Sequence, residues 1–231
     1  MDFLESLNVS AYKIASPEIT DIPLIKKIGE TRKPVILSTG VATLEDIALA
    51  VKILQDQGCP GIVILKCTTA YPAPPEEINL RTIPHMAEMF NCLVGISDHT
   101  LGVGVPIAAV SLGAKVIEKH FTLERDESSV DDFFSLIPEE FKLMADEVRK
   151  VEKALGNVSY EPTPGAQKNM WVRRSLYISK DITKGEELNL DNIKSVRPAY
   201  GLHPKHLDSI LGKKVRRDLE MGERLSWDVI E

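Results

Sequence analysis

The sequence predicts an α/β protein, built on a parallel β-sheet with helical crossovers and followed by a small β-rich domain. Short, nearly continuous apolar runs alternate with segments of helical periodicity over most of the chain. A stretch rich in proline, glycine and polar residues interrupts this alternation, and short strands with glycine turns follow it. Successive β-then-α units form parallel sheets, because each helix returns the chain to the start of the next strand.

Five apolar runs are interpreted as strands: "AYKIAS", "PVILST", "GIVILKCTT", "LVGISD" and "KVIEKHF". Their apolar residues are continuous, as is typical of strands covered on both faces. A helix is predicted after each run, most clearly in "TLEDIALAVKILQDQG", where Thr43 is the expected N-cap and Gly58 the expected end. The buried face of that helix is predicted to hold Ile47, Ala50, Val51 and Leu54. Five such units imply either a barrel or an open sheet.

The segment "NVSYEPTPGAQKN" follows a long predicted helix and is typical of a linker. The residues after it show little helical periodicity and several glycine turns, which favours short strands. The predicted organisation is therefore an α/β domain over residues 1–156, a linker over 157–171 and a β-rich domain over 172–231.

Composition excludes several classes of protein. The three cysteines, Cys59, Cys67 and Cys92, are odd in number and lack metal-type spacing, which favours the reducing cytosol. Cys67 is interpreted as a small buried hydrophobic residue. The sequence has no apolar run long enough to span a membrane and no signal peptide, so we expect a soluble cytoplasmic protein. A net charge of -6, without a basic stripe, argues against a nucleic-acid partner.

Polar side chains stand at the end of each predicted strand, and the ends of parallel strands share one edge of the sheet. They are Ser16, Glu18, Ser38, Thr39, Thr68, Thr69, Tyr71, Ser97, Asp98, His99 and His120. Taken singly, a serine or threonine there is more often a helix cap or turn former, and a histidine more often a hydrogen-bonded surface residue. Together, the hydroxyls and loop amides could hold a phosphate with Lys13, while His99 and His120 could share one metal ion.

The motifs "KIASPEI", "ILSTG", "CTTAYPAPPEEINL", "GISDHTLG", "EKHFTL" and "VRPAYGLHPK" resemble those of the sialic acid synthase family. These enzymes condense phosphoenolpyruvate with an N-acylated amino sugar to make a nonulosonic acid. The wording "LKCTTAYPAPPEEINLRTIPHM" with "GLHPK" is most similar to the pseudaminic acid synthase branch. The neuraminate branch typically carries histidine at the position of Lys66 and asparagine at the position of Thr69.

The resemblance implies a (β/α)8 TIM barrel followed by an antifreeze-like (SAF) domain. The five units of this chain correspond to the family's strands four to eight. We therefore expect strands one to three to be missing. The glutamate and the phosphate-contacting lysine that the family carries on those strands would then be missing as well. Such a chain would be a fragment or a truncated reading frame, and its sheet would have two open edges.

The resemblance also implies roles for individual residues. His99 and His120 match the ligands of a divalent ion, Mn(II) with Mg(II) or Co(II) as alternatives, and they act in catalysis together with Glu18 near the reacting carbons. The positions around phosphoenolpyruvate match Lys13, Ser16, Ser38, Thr69 and Ser97. Tyr71 and Asp131 match groups near the amino sugar, although Asp131 could otherwise be an ordinary loop carboxylate.

Arg197 matches the arginine with which the SAF domain reaches the acyl group of the sugar, in a homodimer where each tail covers the partner's barrel. The implied activity is that of a phosphoenolpyruvate-dependent transferase that forms a carbon–carbon bond and makes pseudaminic acid from a 2,4-diacetamido-2,4,6-trideoxy hexose. N-Acetylneuraminate or legionaminic acid synthesis is one alternative. An inactive truncated barrel, kept as a binding or assembly module, is another.

Overall fold

Five parallel β-strands form the sheet of the N-terminal part of the chain in a computed structural model that describes residues 1–126 and 129–231. The strands are β1 (Tyr12–Ile14), β2 (Val35–Ser38), β3 (Ile62–Cys67), β4 (Leu93–Asp98) and β5 (Val116–Lys119). Each of the five apolar runs supplies one of them, so the strand predictions are confirmed. The buried apolar residues of these strands form the centre of the core, because helices cover their outer face.

The chain divides into two compact units, Met1–Asn157 and Val158–Glu231, called here the N-terminal unit and the C-terminal unit. Helices of the N-terminal unit are α1 (Asp2–Ser6), α2 (Ile22–Glu30), α3 (Leu44–Asp56), α4 (Thr82–Phe90), α5 (Gly104–Ser111) and α6 (Pro138–Leu155). All but α1 were predicted.

Helix α3 shows how the sequence sets these boundaries. Thr43 accepts a hydrogen bond from the Asp46 backbone N–H, and the Asp46 carboxylate accepts one from the Thr43 N–H. This capping box fixes the start of the helix. The helix ends before Gly58, whose φ of +78° few other residues adopt, and its four predicted apolar residues are buried.

The order of the strands in the sheet is β1-β2-β3-β4-β5, so each strand pairs with its neighbours in sequence. An open, doubly wound sheet reverses direction at a switch point, whereas a barrel adds each strand on the same side. The unit is therefore a half-barrel of the TIM type, as predicted. Within the described residues, β1 and β5 each pair along one edge only.

The C-terminal unit is built on a separate core. Strands β6 (Ser175–Ile178) and β7 (Ile193–Val196) pair antiparallel, and isolated bridges such as Ile182 with Leu219 add further strand-like pairing. This confirms the prediction of a β-rich domain. Helix α7 (Pro164–Gln167) lies within the predicted linker, and helix α8 (Leu207–Ile210) follows β7.

Both tryptophans of the chain, Trp171 and Trp227, lie in the C-terminal unit.

Among residues 1–126 and 129–231, no helix combines the length and the apolar character needed to cross a bilayer.

Candidate active site

Two histidines stand side by side at the carboxyl ends of neighbouring strands. His99 follows β4 and His120 follows β5, and the register that pairs Asp98 with Lys119 brings the next residue of each strand to the same level. Their ring centroids are 5.1 Å apart. The structure thus brings together the two residues that the sequence analysis assigned to one site.

Each imidazole is oriented by an oxygen atom near its Nδ1. In His99 this nitrogen lies 2.9 Å from the Thr68 carbonyl oxygen, and in His120 it lies 3.4 Å from Asp131 Oδ2. A carbonyl and a carboxylate are acceptors, so Nδ1 carries the proton and Nε2 keeps its lone pair. Histidines that bind metals are usually held in this way.

The donor set fits a divalent transition-metal ion when other groups complete its coordination. Two imidazole nitrogens suit Mn(II) or Co(II) better than Mg(II), which prefers oxygen ligands. The described residues contain no group of three or more histidine, cysteine or carboxylate side chains arranged for a metal. Substrate oxygens or water would therefore have to supply the remaining ligands.

Two aromatic rings enclose the histidine pair. The Tyr71 ring lies 4.4 Å from the His99 ring and 6.0 Å from the His120 ring, measured between centroids. Phe134 lies 4.8 Å from His120 and is almost fully buried. Tyr71 was predicted to be a site residue, whereas Phe134 was not. The apolar walls reduce access of water to the imidazoles, and burial together with nearby His99 lowers the pKa of His120.

A second polar group lies one layer deeper on the same face of the sheet. Lys13 Nζ donates to Ser38 Oγ over 2.9 Å and is 3.4 Å from Glu118 Oε2. Ser97 Oγ donates to Glu118 Oε1 over 2.6 Å. Glu118 was not predicted from the sequence, although it precedes His120 by two residues and strand side chains alternate with a period of two.

Gly40 allows three side chains to approach one another closely. Its N–H donates to Ser16 Oγ over 2.9 Å. A Cβ at this position would lie 2.1 Å from Thr69 Oγ1 and 2.9 Å from Cys67 Sγ, so no larger residue fits without displacing them. Thr69 Oγ1 is buried and has no hydrogen-bond partner in the part of the chain that the structure describes. A buried hydroxyl of this kind suits a bound ligand.

Cys67 corrects one interpretation made from the sequence. The residue is buried, as expected, but its Sγ is 4.0 Å from His99 Nδ1 rather than in an apolar environment. Burial raises the pKa of the thiol, but the interactions with His99, Ser16 and Ser97 outweigh it and lower the pKa to about 7. Burial has the opposite effect on His99 and lowers the pKa of its imidazole. The interactions with Cys67 and Thr68 outweigh burial and raise this pKa above its ordinary value.

Glu18 and Arg197 are the remaining predicted residues. Glu18 is half-buried in the 3-10 turn Ser16–Thr20, and its carboxylate makes no hydrogen bond or ion pair within residues 1–126 and 129–231. Arg197 belongs to the C-terminal unit, where it is exposed and precedes a cis peptide bond to Pro198.

Sequence profiles connect both units with known families. The profile of the NeuB family matches residues 1–160, and the profile of the SAF domain matches residues 173–231. The chain belongs to the NeuB family. It is 46% identical to a pseudaminic acid synthase of Campylobacter jejuni over 97% of its own length and 66% of that protein. It therefore spans about two thirds of the length of this curated relative.

Other known proteins are similar over about the same share of their length. The chain is 30% identical to the human N-acetylneuraminate-9-phosphate synthase, over all of this chain and 65% of that one. The crystal structure of the Bacillus subtilis spore coat polysaccharide biosynthesis protein SpsE superimposes with a TM-score of 0.65 at 36% identity, over 100% of this chain and 70% of that chain. These similarities agree with the resemblance found in the strand-end motifs.

Proposed function

We propose that this NeuB-family chain acts as a nonulosonic acid synthase, which condenses phosphoenolpyruvate with a 2,4-diacetamido-2,4,6-trideoxy hexose to give pseudaminic acid and phosphate. The observation that supports the proposal is the convergence of two imidazoles, a lysine and several hydroxyls at one edge of the half-barrel. Relatives named pseudaminic acid synthase at 46% and 45% identity favour this product. A legionaminic acid synthase at 41% identity supports the alternative sugar.

Phosphoenolpyruvate would bind around Lys13. Its ammonium group supplies a positive charge and lies next to the Ser38 hydroxyl, which can donate to a phosphate or carboxylate oxygen. Ser16 beside Gly40 and Ser97 beside Glu118 are the other hydroxyls that we assign to this ligand. The unpaired Thr69 hydroxyl would gain a partner when this ligand binds. Glu118 contacts both Lys13 and Ser97, so it would orient these two side chains.

The amino sugar would bind beside the histidine pair. Tyr71 offers a ring face and a hydroxyl, and the Asp131 carboxylate next to His120 can accept from a sugar hydroxyl. We assign Arg197 of the C-terminal unit to the acyl group, since a guanidinium can donate two hydrogen bonds to one carbonyl oxygen.

His99 and His120 would hold a divalent ion, Mn(II) in our proposal. When bound, this ion would supply Lewis-acid polarisation of the sugar aldehyde. The residues of the chain fix the imidazoles through Thr68 and Asp131 and exclude water through Tyr71 and Phe134.

The reaction needs one new carbon–carbon bond and the loss of one phosphate. The methylene carbon of phosphoenolpyruvate attacks the aldehyde carbon, and the electron deficiency passes to the carbon that bears phosphate. Water adds there and loses one proton, which balances the proton that the former aldehyde oxygen takes up to become a hydroxyl. The carbon–oxygen bond to phosphate then breaks, and the phosphate leaves with the proton of the added hydroxyl as the ketone forms. We propose that the Glu18 carboxylate accepts the proton of this water. Holding both reactants at one rim supplies the near-attack geometry.

A phosphate-release assay tests the proposal. The chain is incubated with Mn(II), phosphoenolpyruvate and a panel of amino sugars, alone and joined to the part of the C. jejuni relative that the alignment does not cover. We expect phosphate release with the diacetamido trideoxy hexose, and much less with N-acetylmannosamine. If the chain releases more phosphate with another sugar, the proposed product is wrong and is replaced by the nonulosonic acid made from that sugar. No release with any sugar in either form would favour the alternative of a binding module, which is supported by the edges of β1 and β5 that have no partner strand among the described residues.

We also propose a homodimer in which Arg197 acts on the partner's site. The test mixes inactive His99→Ala chains with inactive Arg197→Ala chains, in the active form found above, under conditions that allow exchange of subunits. With random pairing, half of the dimers are mixed and each has one of two sites intact, so about a quarter of the wild-type activity should return. If Arg197 acts in the active site of its own chain, every site keeps one substitution and the mixture remains inactive.

A further inference from the structure

One buried ion pair lies directly behind the histidine pair. Lys119 Nζ is 2.6 Å from Asp98 Oδ2, and the two side chains are 1% and 0% exposed. Asp98 immediately precedes His99, and Lys119 immediately precedes His120. Because strand side chains alternate, the ion pair points to the helix-covered face while the imidazoles point to the opposite face.

Lys119 holds the chain on both sides of His99. Besides the carboxylate of Asp98, its ammonium group donates to the carbonyl oxygen of Thr100. Thr100 in turn donates to Asp98 through its N–H over 3.0 Å and through its hydroxyl over 3.1 Å. The turn that carries His99 is thus closed on itself and attached to the residue next to His120.

Such a pair is an unusual way to stabilise a fold. Taking two charges out of water is so unfavourable that replacing a buried ion pair with neutral groups of similar shape is often harmless or stabilising. Removing one partner alone is strongly destabilising, because it leaves an uncompensated charge. The location of the pair therefore suggests a use other than stability: it fixes the ends of β4 and β5, and with them the distance between the imidazoles.

We infer that Asp98 and Lys119 are positioning residues that set the separation of His99 and His120 for a shared metal ion. The inference rests on the metal role in the proposed function. It identifies a part of the site that never touches substrate: the ion pair acts on the metal only through the backbone that carries the two imidazoles. Changes to partners of metal ligands usually weaken metal affinity about 10- to 100-fold.

The test compares Asp98→Asn, Lys119→Met and the double variant, each measured for thermal unfolding and for Mn(II) affinity by electron spin resonance. We expect both single variants to be less stable and the double variant to recover most of that loss. Affinity for Mn(II) should be about 10- to 100-fold weaker in all three, the double variant included. If the ion pair served stability alone, the double variant would recover its affinity for Mn(II) together with its stability.

The matched control is the exposed ion pair of Lys142 and Asp146 on α6, in which Lys142 Nζ lies 2.7 Å from Asp146 Oδ2. The variant K142M/D146N should change neither stability nor Mn(II) affinity. A double variant at 98 and 119 that binds Mn(II) within about twofold of wild type would overturn the inference. So would its failure to fold, because the pair would then be a requirement of the fold.

Wild-type Mn(II) binding is measured first. A wild-type chain that does not bind the ion would remove the metal role and this inference with it. A wild-type chain that binds Mn(II) but releases no phosphate would contradict the proposed synthase activity, while the comparison of variants would still decide the role of the ion pair.

Discussion

Buried polar side chains serve different purposes in the two units. In the C-terminal unit, Ser175 Oγ donates to the Pro198 carbonyl over 2.7 Å and accepts from the Gly201 N–H over 2.9 Å. Asn192 similarly accepts from a backbone N–H and donates to a backbone carbonyl. These side chains hold loops of the fold together.

In the N-terminal unit, Ser16, Thr39 and His99 also contact the backbone, but three hydroxyls of the candidate site have no backbone partner among the described residues. Ser97 donates to a carboxylate, Ser38 accepts from a lysine, and the hydroxyl of Thr69 has no partner among the described residues. Hydrogen-bonding capacity is left for a ligand here, whereas it is used by the backbone in the other unit. Buried hydroxyls whose partners are not the backbone therefore mark this site more clearly than burial alone does.

The largest expected effect is the loss of metal binding in His99→Ala or His120→Ala. Each removes one of only two imidazoles, so the loss of Mn(II) affinity should exceed the roughly 100-fold of changes to outer partners. The fold should remain, because the His99 contact with the Thr68 carbonyl lies beyond the end of β3 and His120 contacts the Asp131 side chain. Titration with Mn(II) followed by electron spin resonance measures this. Exposed His85 on α4 gives the control His85→Ala, and tight binding retained by either site variant would remove the metal role.

A pair of serine substitutions tests the comparison itself. Ser175→Ala leaves a partly buried N–H and a partly buried carbonyl unpaired, so it should lower the free energy of unfolding by about 2 to 3 kcal/mol. Ser97→Ala leaves only the half-exposed Glu118 carboxylate, which water can reach, so its loss should stay within about 1 kcal/mol. Phosphate release should fall only in the second variant. Denaturant unfolding and the phosphate assay decide, and a reversed pattern would contradict the distinction.

Gly40→Ala should have an intermediate effect. The added methyl group would overlap the Thr69 hydroxyl and the Cys67 thiol, so we expect a loss of about 2 kcal/mol in stability and weaker binding of phosphoenolpyruvate. Gly61→Ala is the control, because no atom lies within 4 Å of a Cβ at that position. Thermal unfolding and the KM for phosphoenolpyruvate measure the two effects. Equal behaviour of the two variants would show that the crowding around Gly40 has no consequence.

The smallest effect concerns pH. Hydrogen bonds from the Thr43 hydroxyl and backbone N–H lower the pKa of Asp46 below its ordinary value. The charged carboxylate therefore stabilises α3 above the ordinary carboxyl pKa of about 4, and this contribution is lost as the pH falls through the lowered pKa. Asp46→Asn should be less stable than wild type at pH 7 and approach it in acid. A stability difference that stays constant with pH would contradict this role.

The fold could be predicted further from the sequence than the site could. Continuous apolar runs determine buried strands, and the capping signals of α3 determine its start, so these elements were found. Helix α1 was missed because five residues carry too little periodicity. The choice between barrel and open sheet depends on which strands pair, and no local pattern in the sequence contains that information.

The site was predicted mainly from polar residues at the ends of strands. Lys13 within β1 was predicted too, but Glu118 within β5 was missed. His99 and His120 stand just beyond apolar runs, whereas Glu118 is inside one and was counted as part of the strand. Lys119 was overlooked for a different reason. Its partner Asp98 lies on another strand, and the register that joins them is a property of the folded sheet.

The location of both tryptophans in the C-terminal unit makes the two units optically distinct. Tryptophan emission reports on the surroundings of Trp171 and Trp227 alone, while most helical residues that give rise to far-ultraviolet circular dichroism belong to the N-terminal unit. One unlabelled sample therefore yields a separate signal for each unit. Loss of the half-barrel and loss of the SAF domain can be followed independently in the same experiment.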